Sequence, residues 1–285
     1  MEISTEVGSF LRYGNYKKIL TLLKDSGFTA YDFSMGWEGP SSKLITSNDY
    51  KEQAQELRDF ADSIGIKCNQ AHAPLTRERL GEYEYGERGE ALLRRAIEIC
   101  GILGTKICVI HQLKLVLPEE NAVFFKKLEP LARKAKVKIA LENLWNWDSE
   151  KGCAKIVACS GHEDFKRHLD LLPADVFVGC LDTSHAGMQG LHTSAVQIIH
   201  TLEDRLQAMH LSDSDYRFDL HGLPFTMKYD FEEIIVALKR IGYKGDVTFE
   251  TDKYTQKFPV ELLPSVARQM AAVGAYFKKR IEENV

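Results

Sequence analysis

The sequence predicts a single α/β domain folded as a (β/α)8 TIM barrel. Three observations carry this: eight short apolar or alternating runs, helical stripes between them, and a spacing of about 35 residues from one run to the next, the length of one parallel crossover. The runs are residues 2–7, 30–34, 66–71, 106–111, 138–142, 177–182, 207–211 and 246–250. With 285 residues, the chain matches the roughly 250 that such a barrel uses as one unit.

Taken in order, the first run ends at Val7 and is followed by Gly8, Ser9 and Phe10. No glycine-rich phosphate loop follows it, which argues against a doubly wound open sheet. Ser26-Gly27-Phe28, Ile64-Gly65-Ile66 and Leu103-Gly104-Thr105 place a helix-stopping glycine ahead of the second, third and fourth runs. Ile241-Gly242-Tyr243 does the same before the eighth. Leu92, Ala96, Ile99 and Leu103 recur at helical spacing, as do Leu263, Ala267, Met270, Val273, Phe277 and Ile281, and each stripe needs an apolar surface to cover. The least regular stretch, residues 143–161 with Trp145 and Trp147, follows the fifth run and is expected to be a functional loop. No linker or low-complexity segment divides residues 1–285.

Composition narrows the function classes. With 44% apolar and 27% charged residues the chain is neither disordered nor fibrous. A net charge of −4 lacks the basic footprint of a phosphate-backbone binder, although bound cations would change the local charge of a metal-dependent nuclease. The six cysteines form no CxxC pair and read as buried thiols of a reducing compartment. With no signal-like segment and no apolar run of membrane-spanning length, a cytoplasmic protein without a membrane partner is expected.

Polar residues at the ends of the runs carry the chemistry. His72, His111, Glu142, Asp182, His210 and Glu250 close or immediately follow the third to the eighth runs. Parallel barrel strands all point the same way, so these six gather on the face where barrel enzymes keep their active sites. Singly, a strand-end His is more often structural and a strand-end Asp or Glu a helix cap. Three carboxylates and three imidazoles on one rim, however, would repel or stay unpaired without a cation, and so imply a metal.

These residues, in the segments Ala71-His72-Ala73-Pro74, Val109-Ile110-His111, Leu141-Glu142-Asn143, Leu181-Asp182-Thr183-Ser184-His185, Met209-His210-Leu211-Ser212-Asp213, Asp219-Leu220-His221 and Thr248-Phe249-Glu250, resemble the xylose isomerase-like TIM-barrel superfamily. That superfamily includes sugar isomerases, ketose 3-epimerases and zinc-dependent apurinic endonucleases. The resemblance implies one divalent metal (Mn, Mg, Co or Zn) held by Glu142, Asp182, His210 and Glu250. It also implies catalysis by Glu142 and Glu250 as acid and base through an enediolate. His185, Arg217, His72 and His111 are expected to contact a small sugar or sugar phosphate, with Trp37 and Trp145 (and Trp147) stacking on it. Relatives of this kind pair as homodimers or homotetramers.

The resemblance leaves two alternatives. A zinc phosphodiesterase acting at abasic sites would use His72, His111, His185, Asp219 and His221 as additional metal ligands. It ranks second because Gln112-Leu113-Lys114 stands where the endonucleases carry a Pro-Gly-Ser turn, because Gly222-Leu223-Pro224-Phe225 lacks their continuation, and because the charge makes nucleic acid an unfavoured partner. A non-catalytic metal- or sugar-binding barrel is the third reading.

Overall fold

The computed structural model describes residues 1–36, 43–75, 79–80 and 84–283. Eight parallel strands form the barrel: β1 (Ile3–Thr5), β2 (Ala30–Ser34), β3 (Lys67–His72), β4 (Ile107–Val109), β5 (Lys138–Glu142), β6 (Phe177–Asp182), β7 (Leu206–His210) and β8 (Val247–Phe249). Strands β2 to β7 make one continuous sheet in sequence order, and β1 pairs with β8. Bridges between Glu6 and Asp32 and between Leu211 and Phe249 join the two pieces. Val7 N–H donates to Asp32 O at 3.0 Å and Leu211 N–H to Thr248 O at 2.8 Å, so the ring closes.

Several strands are shorter than their apolar runs. In a tilted, closed sheet only the central residues keep ladder partners on both sides; Glu6 keeps a single bridge to Asp32, and His111 and Glu250 lie past their strands on the rim.

The glycine signals hold. Helices Tyr16–Ser26, Tyr50–Ile64 and Glu87–Leu103 each end on a left-handed glycine (Gly27, Gly65, Gly104) whose N–H bonds back to the last turn. The final helix, Leu263–Glu282, buries Leu263, Ala267, Met270, Phe277 and Ile281 as its stripe requires. The main core lies between strands and helices, while Val109, Ala140, Val178, Cys180 and Ala208 fill the barrel interior. Five of the six cysteines are buried and Cys153 is half-buried; all six are free thiols. Among the described residues no helix is long and apolar enough to cross a membrane.

Two β-bulges decide what faces inward. The β2–β3 register passes from Tyr31↔Cys68 to Asp32↔Gln70, leaving Asn69 as an extra residue. Cys68 and Ala71 pack into the outer core. Asn69 instead donates to Thr248 Oγ1, Gln70 donates to Asp32, and His72 meets Glu142. Strict alternation would have sent His72 outward; the extra residue reverses the phase. On β7 the register skips Gln207, so Leu206 and Met209 face out while Ala208 and His210 face in.

The stretch after β5 is more ordered than its composition suggests. It forms an antiparallel hairpin, Asn146–Asp148 with Cys153–Lys155. Asp148 Oδ1 accepts the Glu150 and Lys151 N–H groups, and Gly152 takes a positive φ to close the turn. The hairpin docks where Gly190 has φ +104° and a Cβ would lie 2.2 Å from Ala154 O, so only glycine fits. A second short hairpin, Arg79–Leu80 with Glu84–Tyr85, follows β3 and has no counterpart among the predicted elements.

Candidate metal centre and active site

His72, His111, Glu142 and Glu250 line a cavity of about 730 Å³ at the C-terminal mouth of the barrel, with Asp182 and His210 buried beside them. Glu142, 1% exposed, lies at the centre. Its Oε1 is 3.2 Å from His210 Nδ1, and its Oε2 is 3.0 Å from His111 Nε2 and 3.4 Å from His72 Nε2. Glu250 Oε2 reaches the same His210 Nδ1 at 3.1 Å. One ligand atom each from Glu142, Asp182, His210 and Glu250 falls within 4.8 Å of the others.

Asp182 and His185 share one local device. Asp182 caps the short helix Thr183–Ala186, its Oδ1 accepting His185 N–H at 3.1 Å. Its Oδ2 is buried without a hydrogen-bond partner. An ionised oxygen in that state is costly unless a cation meets it, so this donor set fits a divalent ion. Asn143 bonds both Asp182 N–H (2.7 Å) and Asp182 O (2.9 Å), stitching β5 to β6 and holding two of the four candidate ligands in register.

A second cluster, Asp182, His185 and His221, adjoins the first. His185 Nδ1 faces Asn143 O at 2.9 Å, which leaves Nε2 toward Asp182 Oδ2 (3.6 Å) and Asp219 Oδ2 (3.7 Å). His221 Nδ1 pairs with Asp252 at 2.8 Å, and its Nε2 lies 2.8 Å from Asp219 Oδ1. Asp219 and His221 ride on the loop 214–228, organised by Asp213, whose buried carboxylate accepts the N–H groups of Ser214, Met227, Lys228 and Tyr229. Asp213, part of the His-Leu-Ser-Asp segment, is therefore a scaffold.

Charge is compensated within the cluster. Burial pushes the Glu142 carboxyl up, but His210 and His111 outweigh it and hold the group well below the ordinary range; Glu250 is depressed in the same way by His210 and His221. Burial lifts Asp182 to about 7, with His185 and His221 opposing and Glu250 and Glu142 adding to it. His185 goes the other way: burial lowers it, yet Asp182 and Asp219 raise it to about 9.

Of the expected aromatic contacts, Trp145 and Trp147 line the cavity, and Trp37 lies outside the described residues. Arg217 departs from expectation. It is exposed, its guanidinium sits over the Phe218 ring at 5.0 Å, and it is absent from the cavity wall, because residues 215–218 form the outer turn of their loop.

Two further acids lie outside the run-end pattern. Asp32, on β2, is 1% exposed, takes Gln70 Nε2 at 2.9 Å and lies 3.7 Å from His210 Nε2. Glu6, past β1, lines the cavity and accepts Ser9 N–H, while burial, Asp252 and Glu250 raise its carboxyl well above the ordinary range. The signal for Asp32 was present: a lone carboxylate inside the apolar run Ala30-Tyr31-Asp32-Phe33.

The fold, the strand-end acids and the imidazoles together define a parallel barrel with a candidate metal site at its C-terminal mouth. The model of the family described as xylose isomerase-like TIM barrel matches residues 20–273, and the chain belongs to that family. Among curated proteins it is 27% identical over 270 residues to y4fM of Sinorhizobium fredii, covering 82% of this chain and 81% of that one. Similar solved structures include a D-psicose 3-epimerase determined in the presence of D-fructose (TM-score 0.74, 14% identity, 97% and 99% of the two chains). Others are the 3-keto-D-glucoside 4-epimerase YcjR of E. coli (0.71, 16%, 97% and 99%) and the IolI protein with a zinc atom (0.72, 17%, 99% and 98%).

Proposed function

We propose that this chain is a metal-dependent sugar isomerase or epimerase, acting on a ketose, a sugar phosphate or a related keto compound. The observation that carries the reading is the pair of carboxylates, Glu142 from β5 and Glu250 from β8, both against His210 Nδ1 on the floor of one cavity. Glu142, Asp182, His210 and Glu250 would hold the divalent ion. When bound, it would polarise a ketone and stabilise the negative charge that develops on two vicinal oxygens.

The chain's own residues do the rest. One glutamate takes a proton from the carbon beside the carbonyl, and for epimerisation the other returns one to the opposite face of that carbon. For isomerisation the proton goes to the former carbonyl carbon, while the hydroxyl proton of the neighbouring oxygen passes to the former carbonyl oxygen. Neighbouring imidazoles hold both carboxyls below the ordinary range, so the glutamate that acts as acid must first take up a proton. His185, fixed by Asn143 O, presents Nε2 toward a substrate oxygen. His72, whose Nδ1 faces Ala73 O at 2.7 Å, points Nε2 at the same floor beside His111. The epimerase and zinc-bound fold relatives support sugar chemistry and a metal.

Glu142→Gln and Glu250→Gln should each lower solvent-deuterium exchange into a ketose by at least about 100-fold, with the circular dichroism spectrum unchanged. Wild-type exchange in either variant would refute the two-carboxylate mechanism.

The second cluster favours one competing reading, a multi-zinc phosphodiesterase with His72, His111, His185, Asp219 and His221 as further ligands. It predicts about three zinc ions per chain and nicking of an abasic duplex; elemental analysis finding a single ion would remove it.

A further inference from the structure

Gln112 follows His111 directly and meets the site through its backbone rather than through a ligand atom. Main-chain pairing of β4 with β5 runs as far as Ile110, whose N–H donates to Ala140 O at 2.9 Å. In a continuing parallel ladder the next N–H, two residues on, would come from residue 112 and reach Glu142 O. The side chain of Gln112 takes that place instead. It is buried, its Nε2 donates to Glu142 O at 2.7 Å, and its Oε1 accepts Glu142 N–H at 3.4 Å. The second Nε2 hydrogen is also used, on Ala158 O at 3.0 Å, and Ala158 N–H donates to Lys114 O at 2.9 Å. Held at both donors, the amide cannot swing away from Glu142.

Glu142 needs such a hold. It is the last residue of β5, and the chain leaves the barrel directly after it for the hairpin. Binding its N–H and its C=O restrains the peptide planes on both sides of the Cα, and so the direction in which the carboxylate leaves the chain. The same device recurs around the rim. Asn143 clasps the N–H and C=O of Asp182, and Thr183 Oγ1 donates to Ser212 O at 2.6 Å and accepts Ser212 N–H at 2.9 Å, just past His210. In each case the residue after one strand-end group, whether His111, Glu142 or Asp182, holds main chain at the end of the next strand. A ligand set must be kept within about 0.5 Å of its working geometry, which backbone clasps of this kind can do.

We propose that Gln112 is a positioning residue of the metal centre, its amide standing in for a main-chain donor and fixing the direction of the Glu142 carboxylate. This rests on the reading of Glu142 as a metal ligand.

Asn121 supplies the control. It too is buried and clasps the backbone of this loop, accepting Leu113 N–H at 2.9 Å and donating to Leu113 O at 3.0 Å, but Leu113 carries no ligand atom. Gln112→Met and Asn121→Leu, each close in size to the residue it replaces, should both lower the Tm of the metal-free protein. In competition with a chromogenic chelator for zinc and manganese ions, Gln112→Met should weaken affinity about 10- to 100-fold, while Asn121→Leu stays within about threefold of wild type. Gln112→Asn, which keeps the amide but shortens its reach by one methylene, gives a second reading of the same quantity should the methionine variant fail to fold. Wild-type affinity in the Gln112 variants, or an equal loss in Asn121→Leu, overturns the proposal and leaves Gln112 a contributor to stability alone. A wild-type protein that takes up neither ion overturns it together with the reading of Glu142 as a ligand. Because the readout is binding, neither outcome depends on which ketose is turned over.

Discussion

His210 is held from both ends, with Nδ1 between Glu142 and Glu250 and Nε2 3.7 Å from Asp32 Oδ2. A carboxylate behind an imidazole fixes which nitrogen carries the proton and so leaves the other free for a metal. Asp32→Asn keeps the shape but removes the charge, and should weaken metal binding about 10- to 100-fold in a chelator competition; unchanged affinity would show that Asp32 plays no part. The imidazoles also set a pH dependence in the metal-free protein. His185 is raised from 6.5 to about 9, so its stabilising contribution is complete below about 6.5 and is lost as pH rises through about 9. Asp182, raised from 3.8 to about 7, acts in the same direction: its contribution is lost as pH rises from about 3.8 to about 7, so only the last part of that loss falls above pH 6. Glu142, Glu250 and Asp219 are depressed, so their contributions persist above the ordinary carboxylate range and fail only in acid. Chelator-treated protein should therefore melt lower at pH 9 than at pH 6, and saturating metal should shrink the difference. A Tm that rises across that interval would contradict this charge arrangement.

At the level of elements, two insertions and one loop organise the centre. Asn69 and Gln207 are single extra residues in β3 and β7, and each turns a histidine from the helical layer into the barrel. Loop 214–228 is irregular, with positive φ at Tyr216, His221 and Phe225, and it depends on Asp213 to collect its backbone N–H groups. Asp213→Ala leaves those buried donors unpaired and should cost about 2–3 kcal/mol in denaturant unfolding. It should also weaken whatever ligand Asp219 and His221 hold, because both residues ride on that loop. Wild-type stability would mean that water replaces the carboxylate without loss.

For the whole molecule, the ends of four strands, β5 to β8, would contribute to the proposed cation site, so binding should be coupled to global stability. A divalent ion at about 1,000 times its Kd should add about 4 kcal/mol to unfolding, read as a rise in Tm that chelator reverses. Absence of any shift with every divalent ion tried would favour a barrel that binds no metal. The polar residues at the third to eighth run ends were legible because strand direction alone places them on a common face. Asp32 and Glu6 were harder to see: one lies inside an apolar run, the other at the end of a run that lacked the pattern's partners.

Sequence by itself determined the eight-fold βα repeat, the glycine stops and the acids and imidazoles of the mouth, since periodicity and strand polarity are local properties. Only the tertiary structure decided that the hairpin after β5 brings Trp145 and Trp147 to the cavity, that Arg217 faces solvent, and that Asp213 is a scaffold. The physical reason is distance along the chain. Each of these roles is set by contacts with residues on other loops, and the bulges at Asn69 and Gln207 are defined only by the neighbouring strands they fail to match.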